Sequence, residues 1–170
     1  MPSDSRPIPP ELHASVILQR LAAGAVDFVV IGGLAVVLLG SPRYTKDLDI
    51  TYATDSPNLD ALGEVLIGLH ARLRGINEEV PFVPDGRTLR RARLLTLATD
   101  AGWLDLLADP PGAPRYAEIR ANATQVDVGG FSVRVAAIDD MIAMKKAAGR
   151  LQDLADIEEL EAIKELQTEP

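Results

Sequence analysis

The 170-residue chain has a formal charge of −8 and no cysteine, which excludes disulfide frameworks, thiolate metal sites and cysteine nucleophiles. Its 47% hydrophobic share is that of a globular protein, and its length suits one compact α/β domain with a proper core. The acidic balance argues against a general nucleic-acid-binding surface, which needs a basic footprint, but leaves room for a local basic patch that docks one RNA.

The opening residues MPSDSRPIPPE have neither an apolar core nor a basic lead, so no secretory leader is expected. The longest apolar run, Phe28 to Gly40, is too short to cross a bilayer and is broken by Gly32 and Gly33. These features predict a soluble, cytoplasmic protein without a membrane partner. Residues 1–10 hold four prolines and are expected to form a flexible extended arm, leaving 11–170 as the domain. From Glu11 to Ala23 the apolar positions Leu12, Val16, Leu18, Leu21 and Ala22 predict an amphipathic helix ended by Gly24.

The stretch from Val29 to Ile50 organises the rest. Val29-Val30-Ile31 reads as a buried strand, followed at once by Gly32-Gly33 and an apolar helical segment, Leu34 to Leu39. Gly40, Ser41 and Pro42 stop that helix, and Thr45 to Ile50 forms a second strand carrying Asp47 and Asp49. Side chains at i and i+2 of a strand leave the same face, so the two aspartates project together while Leu48 and Ile50 face the core. Two like charges that close repel unless a cation sits between them, and hard divalent ions, Mg²⁺ above all, suit such a pair. The glycine pair permits close backbone approach and exposes N–H groups at a helix N-terminus, a ready anion site. An anion cradle beside a metal-binding carboxylate pair suggests a nucleoside triphosphate. Each signal alone has an ordinary reading, a tight connection or a solvated strand edge; the combination is much more specific.

Asp55-Ser56-Pro57-Asn58 starts a further helix with a buried stripe at Leu59, Leu62, Val65, Leu66 and Leu69. Pro81, Pro84 and Gly86 mark a loop, followed by Arg87, Arg90, Arg91 and Arg93. That cluster is a solvated face or a set of partners for nearby carboxylates, with contact to phosphate as the functional alternative. Leu94–Ala98 and Leu104–Leu107 predict a hairpin, in which Asp105 interrupts an otherwise apolar run. A buried lone carboxylate costs several kcal/mol, so Asp105 should face a cation or another polar group. A second hairpin turns at Gly129-Gly130, with Asp127 solvated, and from Ile138 onward the chain is helical, broken at Gly149-Arg150. Met141, Ile142 and Met144 are expected in the core, and Leu154, Ile157, Leu160, Ile163 and Leu166 are expected to give the last helix its apolar face. His13 and His70 lie far apart in sequence, so histidine chemistry is not expected.

The strand, Gly-Gly, helix and Asp-x-Asp strand together resemble the signature of the polymerase-β-type nucleotidyltransferase superfamily, and within it most resemble the small bacterial AbiEii-type nucleotidyltransferases. The stretches Arg43–Asp49, Gly102–Leu107, Met144–Arg150 and Asp153–Ile157 carry the likeness. The resemblance implies Mg²⁺-dependent transfer of a nucleotide from an NTP to an acceptor hydroxyl, with Asp47, Asp49 and Asp105 as metal ligands and catalytic groups. It also implies that Gly32, Gly33, Lys46, Lys145 and Asp153 bind the nucleotide, and that Lys145, by composition an ordinary exposed helical lysine, turns into the site as a catalytic group. Asp153 and Asp156 fit equally well as first-turn acids pairing with Lys145 or Arg150. A toxin acting on tRNA, partnered by a cognate antitoxin, is the implied setting. A small-molecule nucleotidyltransferase of aminoglycoside type is a second enzyme reading, and a nucleotide-binding module without turnover is the rival from another class.

Overall fold

A computed structural model describes residues 8–75 and 81–170. Most of the expected N-terminal arm, and residues 76–80 of the proline-marked loop region, therefore lie outside the described residues. Seven strands form one mixed sheet: β1 (Phe28–Ile31), β2 (Asp47–Tyr52), β3 (Arg72–Leu73), β4 (Leu94–Thr99), β5 (Gly102–Leu107), β6 (Thr124–Asp127) and β7 (Ser132–Val135). Their spatial order is β3-β4-β5-β2-β1-β7-β6. The helices are α1 (Ala14–Ala23), α2 (Gly32–Leu38), α3 (Ser56–Gly68), α4 (Gly86–Arg91), α5 (Tyr116–Asn122), α6 (Ile138–Ala148) and α7 (Leu151–Thr168). The expected α/β architecture with a mixed sheet and a C-terminal helical pair is what the chain adopts.

The centre of the sheet is set by alternation. Leu48 and Ile50 of β2, with Leu104 and Leu106 of β5, are wholly buried, as are Leu59, Leu62 and Leu66 of α3. β2 pairs antiparallel with β1 and parallel with β5, which requires the long crossover through α3, β3, α4 and β4. Asn58 stitches the entry to that crossover: its side chain accepts from Asp27 N at 2.7 Å and donates to the carbonyls of Asp27 and Ala53 at 3.0 and 2.7 Å. Asp55 caps α3 by accepting from Asn58 N at 3.1 Å, as its Asp-Ser-Pro start predicts. Gly149 ends α6 in the left-handed conformation, φ 66°, and lets α7 fold back against α6.

Three elements differ from expectation. The four-arginine cluster is partly helical, because Asp85 caps α4 by accepting from Thr88 N at 2.8 Å. α5 forms where no pattern was visible; its Tyr116 and Arg120 both donate to Asp27, at 2.7 and 3.0 Å, a tertiary anchor with no local signature. In α7 the inward face is not simply the leucine stripe. Asp153, Asp156 and Leu160 are buried, whereas Leu154 and Leu166 are 60% and 72% exposed. The helix is rotated so that its two acids meet cations on neighbouring elements, and burying an acid with a partner takes precedence over burying every leucine.

Candidate active site

Asp49 stands opposite Asp105 across the parallel β2–β5 pair, and Asp47 stands opposite Trp103. With a side-chain period of 2, the three aspartates and Trp103 share the face opposite the buried leucines. One oxygen from each of Asp47, Asp49 and Asp105 lies within 4.8 Å of the other two. Burial pushes Asp49 up to about 7, and the charges of Asp47 and Asp105 add to the shift. Burial also raises Asp105; the Arg74 guanidinium opposes this and Asp47 reinforces it. Arg74 makes the one ion pair that the triad has among the described residues, Nη1 to Asp105 Oδ1 at 3.2 Å. Three converging acids under-compensated by the chain's own cations, all with hard oxygen ligands, fit a divalent cation such as Mg²⁺.

Gly32 has a left-handed φ of 70°, and a Cβ there would run into the Asp49 carboxylate. A Cβ at Gly33 would sit 3.1 Å from Thr45 Oγ1, the hydroxyl that donates to Asp47 O at 3.0 Å. The glycine pair thus lets the first turn of α2 press against the strand that carries the acids, and the N–H groups of that turn have no partner one turn earlier within the helix.

Opposite the triad, α6 and α7 supply a different electrostatic arrangement. Lys145 is nearly buried, its side chain 12% exposed, with Nζ 2.7 Å from Asp156 Oδ2 and 3.6 Å from Asp153 Oδ1. Burial lowers its pKa, and the charge of Asp153 opposes that. Arg150 donates to Asp153 from its backbone N, Nε and Nη2 at 3.0, 2.9 and 3.2 Å. Burial would raise Asp153, but these bonds outweigh it and hold the carboxyl below its ordinary value. Arg43 contacts Asp156 and lies 3.7 Å from Glu159, which accepts from Ser41 Oγ at 2.5 Å.

Two adjoining clefts meet at this point. A polar one of about 420 Å³ is bordered by Gly33, Lys46, the three aspartates and Trp103 on one side and by Lys145 and Arg150 on the other. An apolar one of about 210 Å³ is bordered by Gly32, Leu107, Pro110, Pro111, Met141 and Met144. Asp49, Lys145 and Arg150 border both.

The structure brings Asp47, Asp49, Asp105, Lys145, Gly32, Gly33 and Lys46 to one place. Asp153 is 1% exposed, with Arg150 on both of its oxygens, so the pairing alternative left open by the sequence is the one its geometry supports. Met144, expected in the core, packs half-buried against it and also borders the apolar cleft. None of Arg87, Arg90, Arg91 and Arg93 borders either cleft; α4 packs on α3, and Arg90 donates to Ser56. Sequence reading missed Arg74, whose guanidinium lies 4.3 Å from the centre of the Trp103 ring, because nothing local in the sequence marks it.

A family model described as "Nucleotidyl transferase AbiEii toxin, Type IV TA system" matches residues 16–169. No curated protein matches the chain. Among solved structures, the lincosamide antibiotic adenylyltransferase LnuA, lincomycin-bound, superposes with a TM-score of 0.63 at 16% identity, covering 91% of this chain and 99% of that one. ANT(2")-Ia in complex with adenylyl-2"-tobramycin gives a TM-score of 0.55 at 16% identity, covering 88% and 90%. At these identities the two structures show a shared fold.

Proposed function

Because the chain belongs to the AbiEii nucleotidyltransferase toxin family, we propose that it transfers a nucleotide from an NTP to a tRNA, with Mg²⁺ held by Asp47, Asp49 and Asp105. The observation that carries this reading is the convergence of three acids, one raised to about 7, on a cleft whose far wall holds Lys145 and Arg150. Bound Mg²⁺ would offset charge on the triphosphate and so favour attack at the α-phosphorus.

The chain's own residues take the remaining roles. Backbone N–H groups of Gly32 and Gly33 receive phosphate oxygens, and Lys46 adds a cation at the mouth of the polar cleft. Asp105, raised by burial, accepts the proton of the acceptor hydroxyl. The acceptor oxygen forms a bond to the α-phosphorus, the bond from that phosphorus to the β-phosphate oxygen breaks, and pyrophosphate leaves. Lys145 offsets the charge that develops on it. Asp153 and Asp156 hold Lys145 and Arg150 in place, so Asp153 touches the nucleotide only through them. The protein works in the cytoplasm, where NTP and tRNA occur together, and a cognate antitoxin restrains it.

A small-molecule acceptor is the second reading, favoured by the shared fold with adenylyltransferases whose structures contain lincomycin or adenylyl-tobramycin. One experiment separates the two. Purified protein is incubated with Mg²⁺, each α-³²P-labelled NTP in turn, and either total tRNA or an aminoglycoside, beside an Asp49→Asn control. Label on tRNA from one NTP, lost in the control, is expected. Label on the aminoglycoside alone would replace tRNA by a small molecule, and full activity of the control would remove the metal model.

A further inference from the structure

We propose that Trp103 and Arg74 form the acceptor subsite, and that it fits the end of a single-stranded polynucleotide. This rests on the transfer reading above and adds where the acceptor enters. In phosphoryl transfer the attacking and leaving oxygens lie roughly in line across the phosphorus. The groups suited to the departing pyrophosphate, Gly32, Gly33, Lys145 and Arg150, belong to one flank. α2 follows β1 directly, α6 follows β7, and both strands lie on the β1 side of β2 in the sheet. The attacking hydroxyl therefore enters from the other flank, over β5 and β4.

Trp103 and Arg74 stand on that flank. Trp103 is two residues before Asp105 on β5, shares its face and borders the polar cleft. Arg74 follows β3, and its backbone N donates to Thr96 O at 2.9 Å, beside the position where Thr96 pairs with Asp105. Its guanidinium lies over the Trp103 ring and reaches Asp105. Asp105 Oδ1 is buried without a hydrogen-bond partner among the described residues, although the guanidinium is 3.2 Å away. The guanidinium thus ties the Trp103 ring to the Asp105 carboxylate and holds both at the β5 side of the polar cleft.

An aromatic face and a fixed planar cation beside a proton acceptor match three parts of a polynucleotide end: a base that stacks, a phosphate and a hydroxyl. A polycationic aminoglycoside has neither a base to stack on the ring nor a phosphate for the guanidinium.

Trp103 is the chain's single tryptophan, so its fluorescence reads the subsite directly. The full chain is titrated with a short oligoribonucleotide bearing a free 3′ hydroxyl, without NTP, and separately with tobramycin; RNA retention on a filter gives an independent measure of binding. RNA is expected to quench the emission and tobramycin to leave it unchanged. Arg74→Gln should weaken RNA binding by about tenfold. In the transfer assay Trp103→Leu should raise the acceptor KM by about tenfold at constant NTP KM, while Trp103→Phe retains most of the affinity, as stacking worth about 1–3 kcal/mol per base implies.

RNA retained without any change in emission, or held equally well by Arg74→Gln, overturns the proposal, as does failure to bind RNA at all or equal quenching by tobramycin. If Arg74→Gln does not fold, Arg74→Lys and the Trp103 pair carry the test. Absence of label transfer by the wild-type chain with quenching intact overturns the transfer reading and leaves Trp103 and Arg74 as an RNA site. Label transfer to RNA without quenching overturns the subsite alone.

Discussion

The β2–β5 face and the α6–α7 face border the same cleft and solve the problem of buried charge in opposite ways. On the strands, Asp47, Asp49 and Asp105 crowd together with Arg74 as the one ion-pair partner of the set among the described residues, and burial, reinforced by the neighbouring acids, pushes Asp49 up to about 7. On the helix side, Lys145 and Arg150, joined by Arg43 from the α2–β2 connection, each have carboxylate partners among Asp153, Asp156 and Glu159. The first face lacks positive charge and gains by receiving a metal ion. The second is internally balanced, and its cations reach a triphosphate only by sharing themselves with it. Like charges left together mark where something must bind; opposite charges locked together mark what must be held in place.

The sharpest way to break this contrast is Asp49→Asn. Transfer should fall by at least about 1,000-fold, roughly 4 kcal/mol of barrier, while the thermal midpoint of the metal-free protein stays level or rises because one like charge has gone. A clear drop in midpoint with activity retained would mean that the acids are structural. Lys145→Met should hurt both properties: kcat down by about 100-fold, and stability down by about 3 kcal/mol because Asp156 and Asp153 lose a buried counter-charge. Urea unfolding beside the labelled-NTP assay reads both, and unchanged stability would show that the helix pair is not balanced as described.

Acidity separates the faces next. The Asp49 carboxyl has an ordinary value of 3.8 and a folded value of about 7. Between these the folded state holds the extra proton, so its stabilising effect is complete below the lower value and is lost as pH rises through the higher one. The metal-free protein should melt higher at about pH 5.5 than at about pH 8, Mg²⁺ should recover the loss at pH 8, and Asp49→Asn should flatten the difference. A midpoint that climbs over this range in wild type and not in the variant would reverse the assignment. The smallest effect belongs to the outer side of α7. Leu154→Gln, at a residue 60% exposed, should change stability by no more than about 0.5 kcal/mol; a loss of about 2 kcal/mol would mean that this leucine is covered after all.

Much of the strand face was legible because its information is local. Gly32-Gly33, Asp47-x-Asp49 and the acid within Trp103–Leu107 are short patterns whose geometry follows from strand alternation and glycine freedom. The helix face was legible only in outline. The leucine period of α7 predicted an apolar inner surface, yet Asp153 and Asp156 occupy it because cations from α6 and from the α2–β2 connection wait there. No periodicity reports such a partner. Arg74 was invisible for the same reason: its meaning comes from Trp103 and Asp105, which a loop, α4 and β4 separate from it in the chain. α5 depends likewise on a distant anchor at Asp27.

The bond from Ser41 to Glu159 joins residues 118 positions apart, and it has a consequence for the order in which the cleft is assembled. The carboxylate face is complete once β5 has paired with β2, but the opposite wall needs α7, which follows β5 in the chain. Long-range closure of this kind is a late event in folding. A nascent chain that has released β5 but not α7 therefore carries three crowded acids, and its Arg43 lacks the Asp156 and Glu159 partners that brace it. Such a chain has the floor of the cleft without its braced wall, so the order of the elements makes the helix pair the step that completes the cleft.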